Sequence, residues 1–501
     1  MGERYGYSLP APVGGINLSD PLDQMPPEDA ISLWNLFGDQ GRVSVRGGTS
    51  TFCDTSSASS IRALYKLPLK DGTTKLIACA NSKFYKVDTG TSSDVTGATA
   101  PTSNDWNGAV FGHNLFLCNG VDTVQQWAGA GNFADATFTG VTLSTLINVS
   151  SYKEKIYFIK KNTGSFWYRD AVKALSGALS EYDVSYFLRL GGYLLFAGSW
   201  TNQLSSTSAD LFFVCSSEGE ILFFSGGGPS SGDWGLVARF VIGKPLGYRA
   251  FIRVDNDLWI LTEQGVVPIS SLFSGSPTAA ADSLGRKVSV FFTENYGNVG
   301  FSHLWHGVHW PQGRRVYIVI PTSSTQTILL VYNTNTGKWF PYRFTTEGRA
   351  TSITTFAGFP HLGTKTGLVV EFEDASSDNG DPIEYEFTGA FNFFGSRANV
   401  KKFLDLRPIM RTARGITIGV GIDTDFKQLP FTDTITTSTG LTTSWGSVWG
   451  SPWSTEIEYV FDRFSIKGQG HSGAIKVRGS IDNSGLEFNA FDIRFELGGQ
   501  I

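Results

Sequence analysis

Residues 61–88 read IRALYKLPLKDGTTKLIACANSKFYKVD, and three short apolar runs stand out in them, at 61–69, 74–80 and 83–88. Asp71-Gly72 and Asn81-Ser82 separate the runs, and such residue pairs tolerate the backbone of a tight hairpin turn. Runs of this length between turn signals read as strands, so the segment reads as one antiparallel meander.

The same unit returns downstream at a period of roughly 40 residues, the spacing of propeller blades. A second meander spans 108–111, 114–118 and 123–127, turning at Gly112-His113 and Asn119-Gly120. A third spans 145–150, 155–160 and 165–169; a fourth 186–190, 193–197, 211–215 and 220–224; a fifth 248–254, 257–262 and 265–270. Residues 275–290 break the rhythm with Ala279, Ala280, Ala281 and Leu284, a short helix or linker, and the meander resumes at 308–311, 315–320, 327–333, 338–342 and 350–356. The expected fold is therefore mainly β, with a β-propeller over 51–375.

Near residue 380 the pattern changes. Glu371, Glu373, Asp374, Asp378, Asp381, Glu384 and Glu386 are followed by basic residues from Arg397 to Arg414, and then by longer strands at 414–422, 455–464, 474–478 and 491–496. This predicts a C-terminal antiparallel β-sandwich domain over 376–501. The Ser-, Thr-, Gly- and Trp-rich residues 432–453 read as a long loop and a candidate contact surface.

Ahead of the meanders, Ala30, Leu33, Trp34 and Phe37 fall at i, i+3, i+4 and i+7, the stripe of an amphipathic helix. Pro27 suits its first position, Glu28 and Asp29 its positive end, and Gly38 its C-cap. A helix of about three turns is marginal alone and needs a surface to cover its stripe. Residues 1–50 are accordingly read as an N-terminal docking arm with a short helix, and these four side chains as its candidate interface.

The 501 residues carry 58 Gly, 38 Phe, only 17% charged residues and a net charge of −5, a composition of tightly turned β structure without general affinity for nucleic acid or anionic membrane. Cys53, Cys79, Cys118 and Cys215 are widely spaced in apolar runs and read as buried free thiols of a reducing cytosol. No signal-peptide pattern and no membrane-spanning apolar run is seen, so a soluble cytosolic product without membrane insertion is expected.

The patterns that carry chemistry are weak. His303, His306 and His309 could bind Zn²⁺, but strand alternation puts His303 and His309 on one side and His306 on the other. Residues 374–381 lack the register of a Ca²⁺ loop and read as a solvated turn, and Gly226-Gly227-Gly228 lacks the Lys-Ser/Thr of a phosphate loop. Lys401, Lys402, Arg407, Arg411 and Arg414 form the densest positive patch, a candidate channel or interface surface, or partners of the acidic stretch before them. No nucleophile elbow, catalytic triad or placed carboxylate pair appears. The reading is a non-enzyme without cofactor or metal.

Several segments together resemble the tail nozzle (tail tubular) proteins of short-tailed bacteriophages. They are Gly14-Gly15-Ile16-Asn17 with Asp20-Pro21 and Met25-Pro26-Pro27-Glu28-Asp29-Ala30; Arg46-Gly47-Gly48; Pro229, Trp234, Val237 and Phe240 with Ile242-Gly243-Lys244-Pro245-Leu246-Gly247; residues 257–270; Asp378-Asn379-Gly380-Asp381-Pro382-Ile383; residues 402–408; and residues 491–499. The resemblance implies a structural virion protein of the tail, assembled in the host cytoplasm as a ring, usually of six copies, below the portal and adaptor rings. It further implies contact with tail fibres or tail spikes, and transient passage of double-stranded DNA that is retained and then ejected. It carries no catalytic residues. A neutral or acidic channel wall would suit such a part, since phosphate pairing slows a passing duplex. The alternative is a propeller that binds a receptor or carbohydrate, with Trp445, Trp449 and Trp453 stacking on sugars.

Overall fold

The computed structural model describes residues 4–202, 209–274, 284–323, 326–344, 349–412, 416–431, 433–436, 458–460, 463–482 and 485–500. Strands account for 55% and helices for 6%, so the protein is mainly β, built from many small sheets. The chain divides into two compact units, one of Thr51–Leu329 with Thr345–Glu371 and one of Met1–Ser50, Leu330–Phe344 and Phe372–Ile501.

The first, the meander unit, follows the sequence pattern closely. Ala63–Pro68, Thr74–Ala80, Lys83–Lys86 and Ser93–Asp94 form one antiparallel sheet. The next three sheets begin with Asn107–Phe111, Leu146–Tyr152 and Leu194–Asn202, and a fifth, of three strands, with Phe251–Val254. The hairpins His306–Trp310 with Arg315–Pro321 and Ala350–Phe356 with Phe359–Thr364 open two more.

Both faces of a sheet are covered, because apolar clusters sit between successive sheets. Within Thr74–Ala80, Leu76, Ala78 and Ala80 join one cluster with Ile61 and Val369, while Ile77 and Cys79 join another with Trp106 and Leu117. A strand buried on both sides reads as a continuous apolar run. The segment 275–290, expected as helix or linker, follows the helix Ile269–Phe273; its described part carries a 3-10 turn, Arg286–Val288, and the start of the helix Ser289–Val299, while 275–283 lie outside the described residues.

The first strands of these seven sheets follow one another round a circuit that closes where the last (Ala350–Phe356) meets the first (Ala63–Pro68); at the step from the fourth sheet to the fifth, Leu194–Asn202 contacts the second strand, Asp257–Thr262. Side chains stitch each seam. Tyr65 Oη donates to the Trp106 carbonyl (2.7 Å), Asn107 Nδ2 to that of Ile147, and the Ala197 N–H to Asn148 Oδ1 (3.2 Å). The Phe196 and Phe251 rings are 5.1 Å apart, and Arg249 Nε donates to the His303 carbonyl (3.0 Å). The Ile353 N–H donates to His306 Nε2 (3.2 Å), and the hydroxyls of Thr351 and Ser352 close the circuit on the Ile61 carbonyl (2.7 and 2.8 Å).

The second, terminal unit has two larger sheets. Asn399–Thr412 and Leu486–Gln500 pair antiparallel along their length, with Arg4–Pro10, Leu36–Asp39, Arg42–Val45, Glu458–Val460 and Phe464–Gly470 in the same sheet. The other orders Gly15–Ile16, Asp29–Trp34, Ile383–Gly389, Gly473–Ile481, Thr417–Thr424 and Asp433–Thr436. Phe387 of one sheet meets Phe488 (5.9 Å) and Phe491 (5.5 Å) of the other, and these rings form the layer between them.

The expected N-terminal helix is not formed. Residues 30–37 fall in two strands, Asp29–Trp34 and Leu36–Asp39, interrupted by Asn35 in the left-handed region (φ 59°). The first fifty residues are thus strands of the terminal unit, shared with residues 372–501, in place of a separate arm.

Candidate interface sites

The four N-terminal candidates sit in this unit's own sheets. Ala30 and Leu33 are fully buried, and Leu33 pairs across from Phe387. Phe37 packs on Phe340 with ring centres 5.1 Å apart. Trp34 alone keeps part of its surface, with the Arg343 guanidinium 5.4 Å over its ring.

Two of the segments singled out in the sequence meet in a buried lock. Arg46, its side chain 0% exposed, donates to Asp378 Oδ1 (2.8 Å) and Oδ2 (2.5 Å), to Asn35 Oδ1 (3.0 Å) and to the Gly47 carbonyl (2.9 Å). Phe344, Tyr342 and Phe372 surround its guanidinium at 4.5, 5.9 and 5.7 Å. Glycine is required beside it, since a Cβ on Gly48 would lie 2.0 Å from the Ser377 carbonyl oxygen. Asp378 is therefore a buried partner of Arg46, and the solvated turn expected at 374–381 is corrected at this residue.

A second lock holds the Gly-Gly-x-Asn segment. Asn17 Nδ2 donates to Asp20 (2.8 Å) and Asp29 (2.7 Å), while its Oδ1 accepts from the N–H groups of Ser19 and Asp20. Gly15 has φ 76°, and a Cβ there would meet the Trp339 carbonyl oxygen at 2.3 Å.

The basic patch is dispersed along Asn399–Thr412, where strand alternation separates Lys401 from Lys402 and a bulge between Phe403 and Asp405 shifts Arg407 and Arg411 off the buried side. Lys401 is buried, and its ammonium donates to the carbonyls of Asn399 (2.9 Å), His471 (2.7 Å) and Ser396. Burial pushes its pKa below the usual lysine value, against the opposing pull of Asp425. Lys402 is exposed, Arg407 pairs with Asp492 (3.0 Å), Arg411 lies 3.9 Å from Glu487, and Arg414 falls outside the described residues. Their carboxylate partners come from Leu486–Gln500, not from the acidic stretch at 371–386, because that strand is the neighbour in the sheet.

The three histidines serve different seams of the meander unit. The strand begins at His306, so the alternation expected from His303 onward does not apply. His303 faces Asp105 at 3.9 Å, and burial lowers its pKa to about 4. His306 Nδ1–H donates to the Leu304 carbonyl (2.7 Å) and Nε2 accepts from Ile353, a pattern only the neutral ring can make. His309 Nδ1 accepts from the Asp255 N–H at 3.4 Å. All four cysteines are buried and free, and burial raises every thiol pKa, that of Cys53 to about 11.

Sequence reading missed one surface. Gly235–Val241 is the outermost strand of its sheet, with no further strand beyond it among the described residues. Leu236, Val237 and Val241 on it are 37%, 53% and 53% exposed. Arg239 donates to the Phe187 carbonyl (3.2 Å), which brings Tyr186, 93% exposed, beside this edge. The available signal was an apolar run, Leu236-Val237-Ala238, free of the Lys or Pro that usually protects an edge. The Trp-bearing residues 445, 449 and 453 lie outside the described residues.

No protein-family model and no curated protein matches the chain. Among solved structures, the extracellular domain of a hybrid two-component system from B. thetaiotaomicron is similar at 12% identity and TM-score 0.41, over 66% of this chain and 41% of that one. The chain thus spans about two fifths of that protein. Catalytically inactive virginiamycin B lyase from Staphylococcus aureus is similar at 10% identity and TM-score 0.42, over 65% of this chain and 99% of that one. YCF48 bound to a D1 peptide is similar at 9% identity and TM-score 0.39, over 70% and 99%.

Proposed function

We propose that the chain is a tail nozzle subunit of a short-tailed bacteriophage: a seven-bladed propeller over the meander unit, joined to a two-sheet β-sandwich. It assembles as a ring, usually of six copies, below the portal and adaptor, retains packaged DNA and conducts it at ejection. The observation that carries the reading is the Arg46–Asp378 lock, in which two segments of the resemblance, Arg46-Gly47-Gly48 and Asp378 to Ile383, are complementary to one another. The closed circuit of first strands supports the propeller, and a construction without free inner edges suits a part under pressure from packaged DNA. The exposed apolar edge at Gly235–Val241 supports contact between neighbouring subunits.

Electron cryomicroscopy of particles carrying a tagged copy tests the proposal. Density for this chain on the tail axis below the adaptor is expected; a trimeric fibre, or a position off the axis, would overturn it.

A further inference from the structure

The meander unit holds an open cleft of about 830 Å³ where the turns between first and second strands of successive sheets converge. Its charge runs against that of the chain, which has 45 acidic residues to 40 basic ones. Lys70, Lys153 and Lys173 line it, against Glu154 and Asp210. Both carboxylates are engaged, Glu154 with Lys173 at 3.0 Å and Asp210 accepting the Thr201 hydroxyl at 2.7 Å. Lys70 and Lys153 form no ion pair within 4 Å among the described residues, although the Lys153 ammonium lies 5.6 Å over the Tyr152 ring and its charge is felt by Asp233.

Two further cations lie at the circuit's seams. Arg253 donates to the hydroxyl of Ser199, itself in the cleft wall, at 3.4 Å, and Lys66 donates to the Thr355 hydroxyl at 3.0 Å. Both side chains are exposed, and neither is in an ion pair with a carboxylate among the described residues. The floor is fixed, since the Tyr152 hydroxyl sits between the carbonyls of Asp210 (2.9 Å) and Gly226 (3.0 Å).

We infer that this cleft binds an anionic oligosaccharide, with Lys70 and Lys153 on its acid groups and Ser151, Ser199 and Thr201 on its hydroxyls. The volume matches a ligand of a few rings. A single inorganic anion would leave most of it empty, and a rigid duplex cannot enter a cleft of this size. Lysines supply charge without fixed geometry, as a flexible sulfated or carboxylated sugar requires. The inference does not depend on the nozzle reading, because binding is measured on the isolated chain.

Titration calorimetry of the full chain tests it, with chondroitin sulfate tetrasaccharide as probe and neutral cellotetraose and a short DNA duplex as comparisons. The sulfated sugar should bind and cellotetraose should not. Lys70→Ala with Lys153→Ala should weaken binding about tenfold or more, the loss of one or more charge-assisted hydrogen bonds, with the unfolding temperature unchanged. Lys467→Ala, on the other unit, should leave it unaltered. Equal binding of the neutral sugar, no binding of either, tighter binding of the duplex, or no effect of the double variant would each overturn the assignment.

Discussion

Arg46 and Asp378 are 332 residues apart in sequence and form a two-point ion pair inside an aromatic cage, with the Arg46 side chain fully buried. Removing one member leaves the other charge buried without its partner. Asp378→Asn or Arg46→Met should therefore destabilise the terminal unit by about 3–5 kcal/mol. Replacing both together, with Met and Leu, should cost less than the sum of the single changes. Denaturant unfolding followed by tryptophan fluorescence measures this, and strictly additive losses would show the pair to be uncoupled.

The N-terminal strands are a part of a folded unit, so truncation should act on stability. Deleting residues 1–38 strips the strand beside Ile383–Gly389 and leaves Phe387 and Phe340 uncovered. Rapid proteolysis within 372–501 is the expected outcome. Leu33→Ala should cost about 2–5 kcal/mol and Leu33→Asp more, whereas Trp34→Ala, at a part-exposed site, should cost less than Leu33→Asp. A truncated chain with a protease-resistant C-terminal part would contradict this.

Acid should loosen the circuit through its histidines. Burial lowers the pKa of His306 well below the usual value and that of His303 to about 4, so both are neutral in the folded protein while the unfolded chain takes up protons near pH 6.5. Their contribution is complete above about pH 6.5 and is lost as pH falls toward the folded values, by about 1.4 kcal/mol per pH unit for each ring. The urea midpoint should fall from about pH 6.5 downward, and His303→Gln with His306→Gln should flatten that slope. A midpoint unchanged down to about pH 5 would contradict it.

The unprotected edge of Gly235–Val241 should govern association. Leu236→Lys with Val237→Lys places charge on exposed positions, so stability should change by less than about 0.5 kcal/mol per site. On the proposed nozzle reading, ring formation should be lost, as read by light scattering and particle images. Normal rings from this variant would move the contact elsewhere.

Much of the meander unit was legible because its turns announce themselves. Runs read at 74–80, 114–118 and 257–262 match the strands Thr74–Ala80, Asn114–Cys118 and Asp257–Thr262. The N-terminal strands were not legible, for a local reason. A bulge between Ala30 and Ser32 shifts one step of the alternation, and Asn35 with positive φ shifts it again, so buried positions at 30, 33 and 37 imitate helical spacing. The candidate sites fared differently because their character is tertiary: a lysine at 401 looks like surface charge until the carbonyls of 396, 399 and 471 surround it.

The pairing of the first fifty residues with the last hundred or so has a consequence for biosynthesis. Strands 4–10 and 29–34 leave the ribosome several hundred residues before their partners 490–496 and 386–389 are made. At about 5–20 residues per second, the nascent chain holds these apolar segments unpaired for tens of seconds. A message broken upstream of the Ile383–Gly389 strand yields a product whose strands 4–10 and 29–34 can never find their sheets, and which cellular proteases can recognise by those exposed segments.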